Sequence, residues 1–151
     1  MKNRLIQYVI ISALAILGAT AVVAQPPNDN FANAEVINGL QFHVQRTNVN
    51  ATKETGEPNH AFNVGGKSIW FKWTAPMDRT VAVTTNRSGN NIDTTLHVYT
   101  GSALNALTSV LSNNNISPSL FQNARSFVRF AATAGTTYYI AVDGFHDGAN
   151  T

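Results

Sequence analysis

Gly65-Gly66-Lys67-Ser68 ends like a phosphate-binding loop, in which glycine N–H groups cradle a phosphate and the lysine reaches it. The pattern fails at Ala61, where the first glycine belongs, and again at Ile69 to Trp73, an aromatic and β-branched run where a helix N-terminus is needed. A turn is therefore expected there. Four histidines, His43, His60, His97 and His146, could serve as bases or ligands. No two of them are spaced i,i+4, and neither His-Glu-x-x-His nor Gly-x-Ser-x-Gly occurs, so they read as single surface histidines. No stretch marks a nucleophile with its base and orienting group, so no catalytic residue is assigned and no enzymatic activity is expected.

Oxygen ligands are the better prospect for chemistry. Calcium takes several carboxylate and carbonyl oxygens in flexible geometry, often from loops. Asn28 and Asp29 near the start, Asp93 after Asn90-Asn91, and Asp143 and Asp147 near the end could supply them, with Asp93 and Asp143 heading the set. Each of these residues also caps turns through its own backbone, which accounts for them one at a time.

Those side chains must be carried by β structure. Short alternating or β-branched segments recur between clusters of Gly, Asn, Asp, Ser and Pro, at the spacing of a sandwich or barrel. The expected strands are Glu35 to Ile37, Gln41 to Gln45, Ser68 to Trp73, Thr80 to Thr85, Thr95 to Tyr99, Ser126 to Ala131 and Thr137 to Val142. Between Gly101 and Ser119, Leu104, Leu107, Val110 and Leu111 could make a short helical turn or a further strand. Strand parity puts Tyr138, Ile140 and Val142 on one face, as it does Leu96 with Val98 and Val128 with Phe130. These aliphatic faces are assigned to the core. Trp70, Tyr99, Phe127 and Tyr139 then face away from it, as ligand-stacking rings or as rings covered by a loop, by the N-terminal segment or by a strand missing from the C-terminal end. Ser68 to Trp73 is apolar on both faces, which predicts a strand covered on two sides.

The N-terminus reads as an export signal. Lys2 and Arg4 precede an apolar run from Leu5 to Ala24, and Val22 and Ala24 offer the small residues that a signal peptidase reads. Cleavage after Ala24 leaves 25–151 as one β domain; an uncleaved membrane anchor is the alternative, and the one membrane contact expected. The chain of 151 residues has a formal net charge of +2. Lys2 and Arg4 are two of its 10 basic residues, so without the signal the domain is neutral, and with no basic patch no nucleic-acid partner is expected. There is no cysteine to carry a lipid or a disulfide, so packing must hold the domain together.

Five blocks together resemble one family. They are Pro26-Pro27-Asn28-Asp29-Asn30-Phe31-Ala32-Asn33-Ala34, the segment Ala51 to His60, Ser68-Ile69-Trp70-Phe71-Lys72-Trp73-Thr74-Ala75-Pro76, the segment Ile92 to Gly101, and Gly135 to Gly144. In this order they are similar to bacterial pre-peptidase C-terminal domains. The resemblance implies an all-β, jelly-roll-like antiparallel β-sandwich on secreted or cell-surface bacterial proteins, serving as a non-catalytic accessory. It also implies partners such as an extracellular polysaccharide or protein or neighbouring domains, and in some relatives calcium. Asn113-Asn114-Asn115 stands where many relatives carry two carboxylates, which would weaken a cation site there. Relatives continue into another core strand where this chain has Gly148-Ala149-Asn150-Thr151, so the sandwich is expected to lack a C-terminal strand and to expose an edge. The functional expectation is an exported module that binds an extracellular polymer or partner domain. The alternatives are a structural spacer or folding aid, or the N-terminal fragment of a secreted hydrolase.

Overall fold

Alternation in Leu96/Val98, Val128/Phe130 and Tyr138/Ile140/Val142 demands two facing sheets, and the chain folds that way. A computed structural model describes residues 24–86, 92–115 and 124–145. It contains β1 (Glu35–Ile37), β2 (Ile69–Thr74), β3 (Arg79–Thr84), β4 (Thr94–Thr100), β5 (Thr108–Asn113), β6 (Phe127–Ala132) and β7 (Thr137–Gly144). Short 3-10 turns occur at Phe31–Asn33 and Leu104–Ala106. One sheet has the order β1-β2-β7-β4-β5 and the other pairs β3 with β6. Every pairing is antiparallel except the short edge pair β1 and β2, aligned Glu35 with Phe71. The expected export signal as far as Val23, together with His146, Asp147 and the Gly148-Ala149-Asn150-Thr151 tail, lies outside the described residues.

The two sheets enclose the expected core: Ile69, Phe71 and Trp73 of β2, Leu96 and Val98 of β4, Val128 and Phe130 of β6, and Tyr138 and Ile140 of β7. Burying an aliphatic or Phe side chain of this size removes it from water at a gain of roughly 1.5–3 kcal/mol. The Trp73 indole also donates its Nε1–H to the Gly39 carbonyl at 2.9 Å, satisfying the polar atom that such a ring brings inside. The connection after Gly101 forms both the 3-10 turn and β5.

Gln41 to Gln45 is not a strand. Its alternation is real, but of Leu40, Phe42 and Val44 only Val44 packs on the core, while Leu40 and Phe42 stay exposed. Arg46 ties the end of this segment to Glu35 by two hydrogen bonds, Nε to Oε2 at 2.7 Å and Nη2 to Oε1 at 2.5 Å, beside β1 without pairing to it.

Candidate functional site

The outer face of the five-stranded sheet carries a second core. Trp70, Tyr99 and Ala141 are buried there beneath Phe31 and Ala34 of the N-terminal segment, with Tyr139 packed against them. Phe31 meets Trp70 edge-on at 5.3 Å between ring centroids and lies over Tyr139 at 4.4 Å. Asn28 fixes this cover. Its Nδ2–H donates to the Trp70 carbonyl at 3.0 Å, and the Trp70 N–H donates to the Asn28 carbonyl at 2.8 Å. Glu54 accepts from the Phe31 N–H at 2.5 Å, so the loop before His60 closes on the same segment.

A chain of polar side chains runs through this layer. Glu57 Oε1 lies 2.7 Å from His60 Nε2, His60 Nδ1 lies 2.8 Å from the Tyr99 hydroxyl, and that hydroxyl lies 2.8 Å from His97 Nδ1. His97 Nε2 is 2.7 Å from Ser109 Oγ. A bulge that leaves Val110 without a partner in β4 brings Ser109 opposite Tyr99. The protons in this chain can be placed by counting donors. The Ala61 N–H donates to His97 Nδ1 at 3.2 Å, so that nitrogen carries a lone pair and the Tyr99 O–H also points to it. His97 therefore holds its proton on Nε2 and donates it to Ser109. The Tyr99 oxygen is left to accept from His60 Nδ1–H, and His60 Nε2 meets the Glu57 carboxyl group. His60 and Glu57 thus form a directly bonded pair, and both side chains are fully buried.

The titration behaviour of the neighbours agrees with this assignment. Burial opposes ionisation of Glu57, but hydrogen bonds from His60, Ser68 and the Glu54 backbone, with the His60 charge, outweigh it and hold the carboxyl below its ordinary value. Burial, reinforced by the His60 charge, lowers His97 from 6.5 to about 4. Burial and the Glu57 charge raise the Tyr99 phenol, keeping it protonated. The chemical consequence concerns Ser109: His97 offers it an N–H and no lone pair, so the pair is not a nucleophile with its base.

Two adjoining grooves open on this face and share Leu104 as a common wall. One, of about 380 Å³, is lined by Pro58, Asn59, His97, Tyr99 and Ser109. The other, of about 410 Å³, is lined by Phe31, Glu54, Lys72, Ser102 and Tyr139. Of the four outward aromatic residues, Tyr99 and Tyr139 border these grooves. Trp70 is buried beneath them, and Phe127 lies on β6 of the other sheet, 42 % exposed.

The proposed cation ligands act as fasteners. Asp29 accepts from the Thr52 N–H at 2.6 Å and its hydroxyl at 2.8 Å. Asp143, fully buried, accepts from the Lys67 N–H at 2.8 Å, the Gly66 N–H at 3.1 Å and its neighbour Gly144 N–H at 2.7 Å. Asp93 contributes its carbonyl to the Phe145 N–H at 3.1 Å. Asn28 keeps a buried Oδ1 without a hydrogen-bond partner, but among the described residues no three His, Cys, Asp or Glu side chains converge as metal ligands. The Asp29 and Asp143 carboxylates are thus engaged by N–H groups of the chain itself.

Residues 67–144 match the family model of the bacterial pre-peptidase C-terminal domain. The chain belongs to this family. No curated protein and no solved structure matches it. Pre-peptidase C-terminal domains are accessory domains found in exported proteins. The match spans β2 to β7, whereas Asn28, Phe31, Glu57 and His60, which cover the outer face, precede it. Among the described residues no helix is long and apolar enough to cross a membrane.

His60 and His97 are not the surface histidines expected from sequence. His60 is 0 % exposed and His97 is 7 % exposed. One local signal pointed to this: His97 and Tyr99 share a face of β4, next to Leu96 and Val98 that fill the core. The long-range partner, His60 reaching Tyr99 across 39 positions, has no local mark.

Proposed function

We propose that this chain is a secreted or cell-surface, non-catalytic accessory module that holds an extended extracellular polymer, or a segment of a partner protein, along the outer face of its five-stranded sheet. The observation that carries the reading is the pair of grooves meeting at Leu104, bordered by Tyr99 and Tyr139 and by amide, hydroxyl and charged groups. Both are shallow and open, which suits a chain crossing the surface better than a small molecule enclosed by protein. The Ser109–His97 proton order supports binding over catalysis.

The test is retention of the protein on immobilised polysaccharide, collagen and peptidoglycan. Tyr139→Ala and Lys72→Gln should each weaken retention by about tenfold; Lys72→Gln should leave the melting temperature nearly unchanged, whereas Tyr139→Ala, which removes the ring packed against Phe31, should also lower it. Retention unaltered by both, on a matrix that holds the parent protein, would place binding elsewhere. No retention on any matrix would favour a spacer.

A further inference from the structure

Phe62 is 97 % exposed, and it follows Ala61 in a backbone conformation that L-residues avoid, with φ of +62° and +49° respectively. Such strain persists only where the surroundings over-determine it. Here they do. His60 is buried on one side, the Ala61 N–H is bound to His97, and the Asn63 N–H closes on the His60 carbonyl at 2.9 Å. Asn63 Oδ1 accepts from the Gly65 N–H at 2.9 Å, and Asp143 takes the next two N–H groups. The turn is rigid, yet its ring is held out into solvent.

A second turn stands beside it. Asn50 also has a positive φ, +63°, and Val49 before it is 63 % exposed. Asn48 Nδ2–H donates to the Lys67 carbonyl at 3.1 Å, and Lys53 Nζ donates to the Val64 carbonyl at 2.6 Å, so the two turns are strapped together. Val64 is 60 % exposed. Both turns lie at the end of the sandwich where β2 begins and β7 finishes. Segments 47–53 and 61–67 contain Lys53 and Lys67 and no Asp or Glu.

We propose that this end of the domain docks on an anionic lipid surface, with Phe62 entering the headgroup boundary beside Val49 and Val64, and Lys53 and Lys67 meeting the headgroup phosphates. A ring so fully exposed projects alone and makes no flat patch with its neighbours, so a protein partner would need a matching pocket. A bilayer boundary accepts such tips without one, and aromatic rings settle at that depth. Basic side chains on carboxylate-free loops add attraction to anionic lipid. The surface is separate from the grooves of the polymer-binding reading, so either can fail alone.

The chain has no cysteine, so a single introduced one takes a polarity-sensitive fluorophore at one place. The label goes on Val64→Cys in the full chain, with Met77→Cys as control in the β2–β3 connection at the opposite end. Because the probe reports on the turn itself, binding through the apolar run Leu5 to Ala24 does not imitate the result. With vesicles of phosphatidylcholine containing one-third phosphatidylglycerol, the probe at 64 should shift to the blue and the probe at 77 should not. Asparagine tolerates positive φ, so adding Phe62→Asn preserves the turn while removing the ring, and should lower partitioning by about tenfold or more. The proposal is overturned by no shift at 64, by equal shifts at both sites, or by a shift that survives Phe62→Asn. An equal response to pure phosphatidylcholine overturns the anionic preference. A shift that instead grows with protein concentration in the absence of vesicles places Phe62 between copies of the chain and also overturns the proposal.

Discussion

Acid should loosen the outer-face layer through His97 before it affects the carboxylates. In the folded chain burial lowers this imidazole from 6.5 to about 4. The unfolded chain therefore binds a proton near pH 6.5 that the folded chain refuses until about pH 4. The stability that this group contributes is fully present above 6.5 and is lost as pH falls from 6.5 to about 4, with no further change below. At about 1.4 kcal/mol per unit the shift amounts to about 3 kcal/mol. The ring edge bordering the groove is partly screened by water, which reduces the expected loss to about 2 kcal/mol. Glu57 titrates in the opposite sense: its folded value is lowered, so its contribution is present above the ordinary carboxyl value of 4.5 and is lost as pH falls below it. The two windows therefore overlap only between 4.5 and about 4. Urea unfolding of the parent and of His97→Gln, repeated from neutral pH to about pH 4, reads the difference. Glutamine can still accept from the Ala61 N–H and donate to Ser109 but cannot titrate. The parent should lose about 2 kcal/mol more than the variant across that window. Parallel curves for the two proteins would refute both the burial of His97 and the proton order built on it.

His60→Gln leaves the fully buried Glu57 carboxylate without its imidazole partner, and should cost about 3 kcal/mol by urea unfolding at neutral pH. Adding Glu57→Gln should recover a good part of that loss, because no buried charge then remains. At Gly65, a Cβ would lie 1.7 Å from Asp143 Oδ2, so Gly65→Ala must expel the carboxylate that holds the Gly66 and Lys67 N–H groups, at a cost of about 2 kcal/mol. Asp143→Ala in that background should then cost little more; additive losses in thermal melts would show that the carboxylate is not the shared element.

Period-two alternation carried most of the fold, because Tyr138, Ile140 and Val142, or Val128 and Phe130, can satisfy their burial on only one sheet face. It failed at Gln41 to Gln45. There the same pattern is present, but a strand also needs a neighbour to pair with, and pairing is a property of the whole chain. The site was less legible. Asp143 lies 77 positions from Gly66, and its role in closing the loop on β2 is set by the β2–β7 register. From sequence alone its acid group suits calcium equally well. The outward aromatic faces of β2, β4 and β7 were readable, whereas their burial was not, because the cover comes from Phe31 and the loop ending at His60.

That loop joins the two proposed surfaces. From Glu54 to Lys67 it forms one wall of a groove, passes through the His60–Glu57 pair, turns at Phe62, and is fastened at its far end by Asp143. Its polar contacts are made largely by side chains from other elements: Tyr99 and His97 of β4, and Asp143 of β7. The loop therefore combines its own turns, such as the Asn63 N–H closing on the His60 carbonyl, with fastening by the sheet beneath it. A proton added to His97 Nδ1 removes the acceptor for both the Tyr99 O–H and the Ala61 N–H. It frees the residue immediately before Phe62 and, in the same step, breaks the link from Tyr99 to the groove at Ser109. The acid sensitivity of one buried imidazole must accordingly show at both the groove and the tip, although the two surfaces share no ligand.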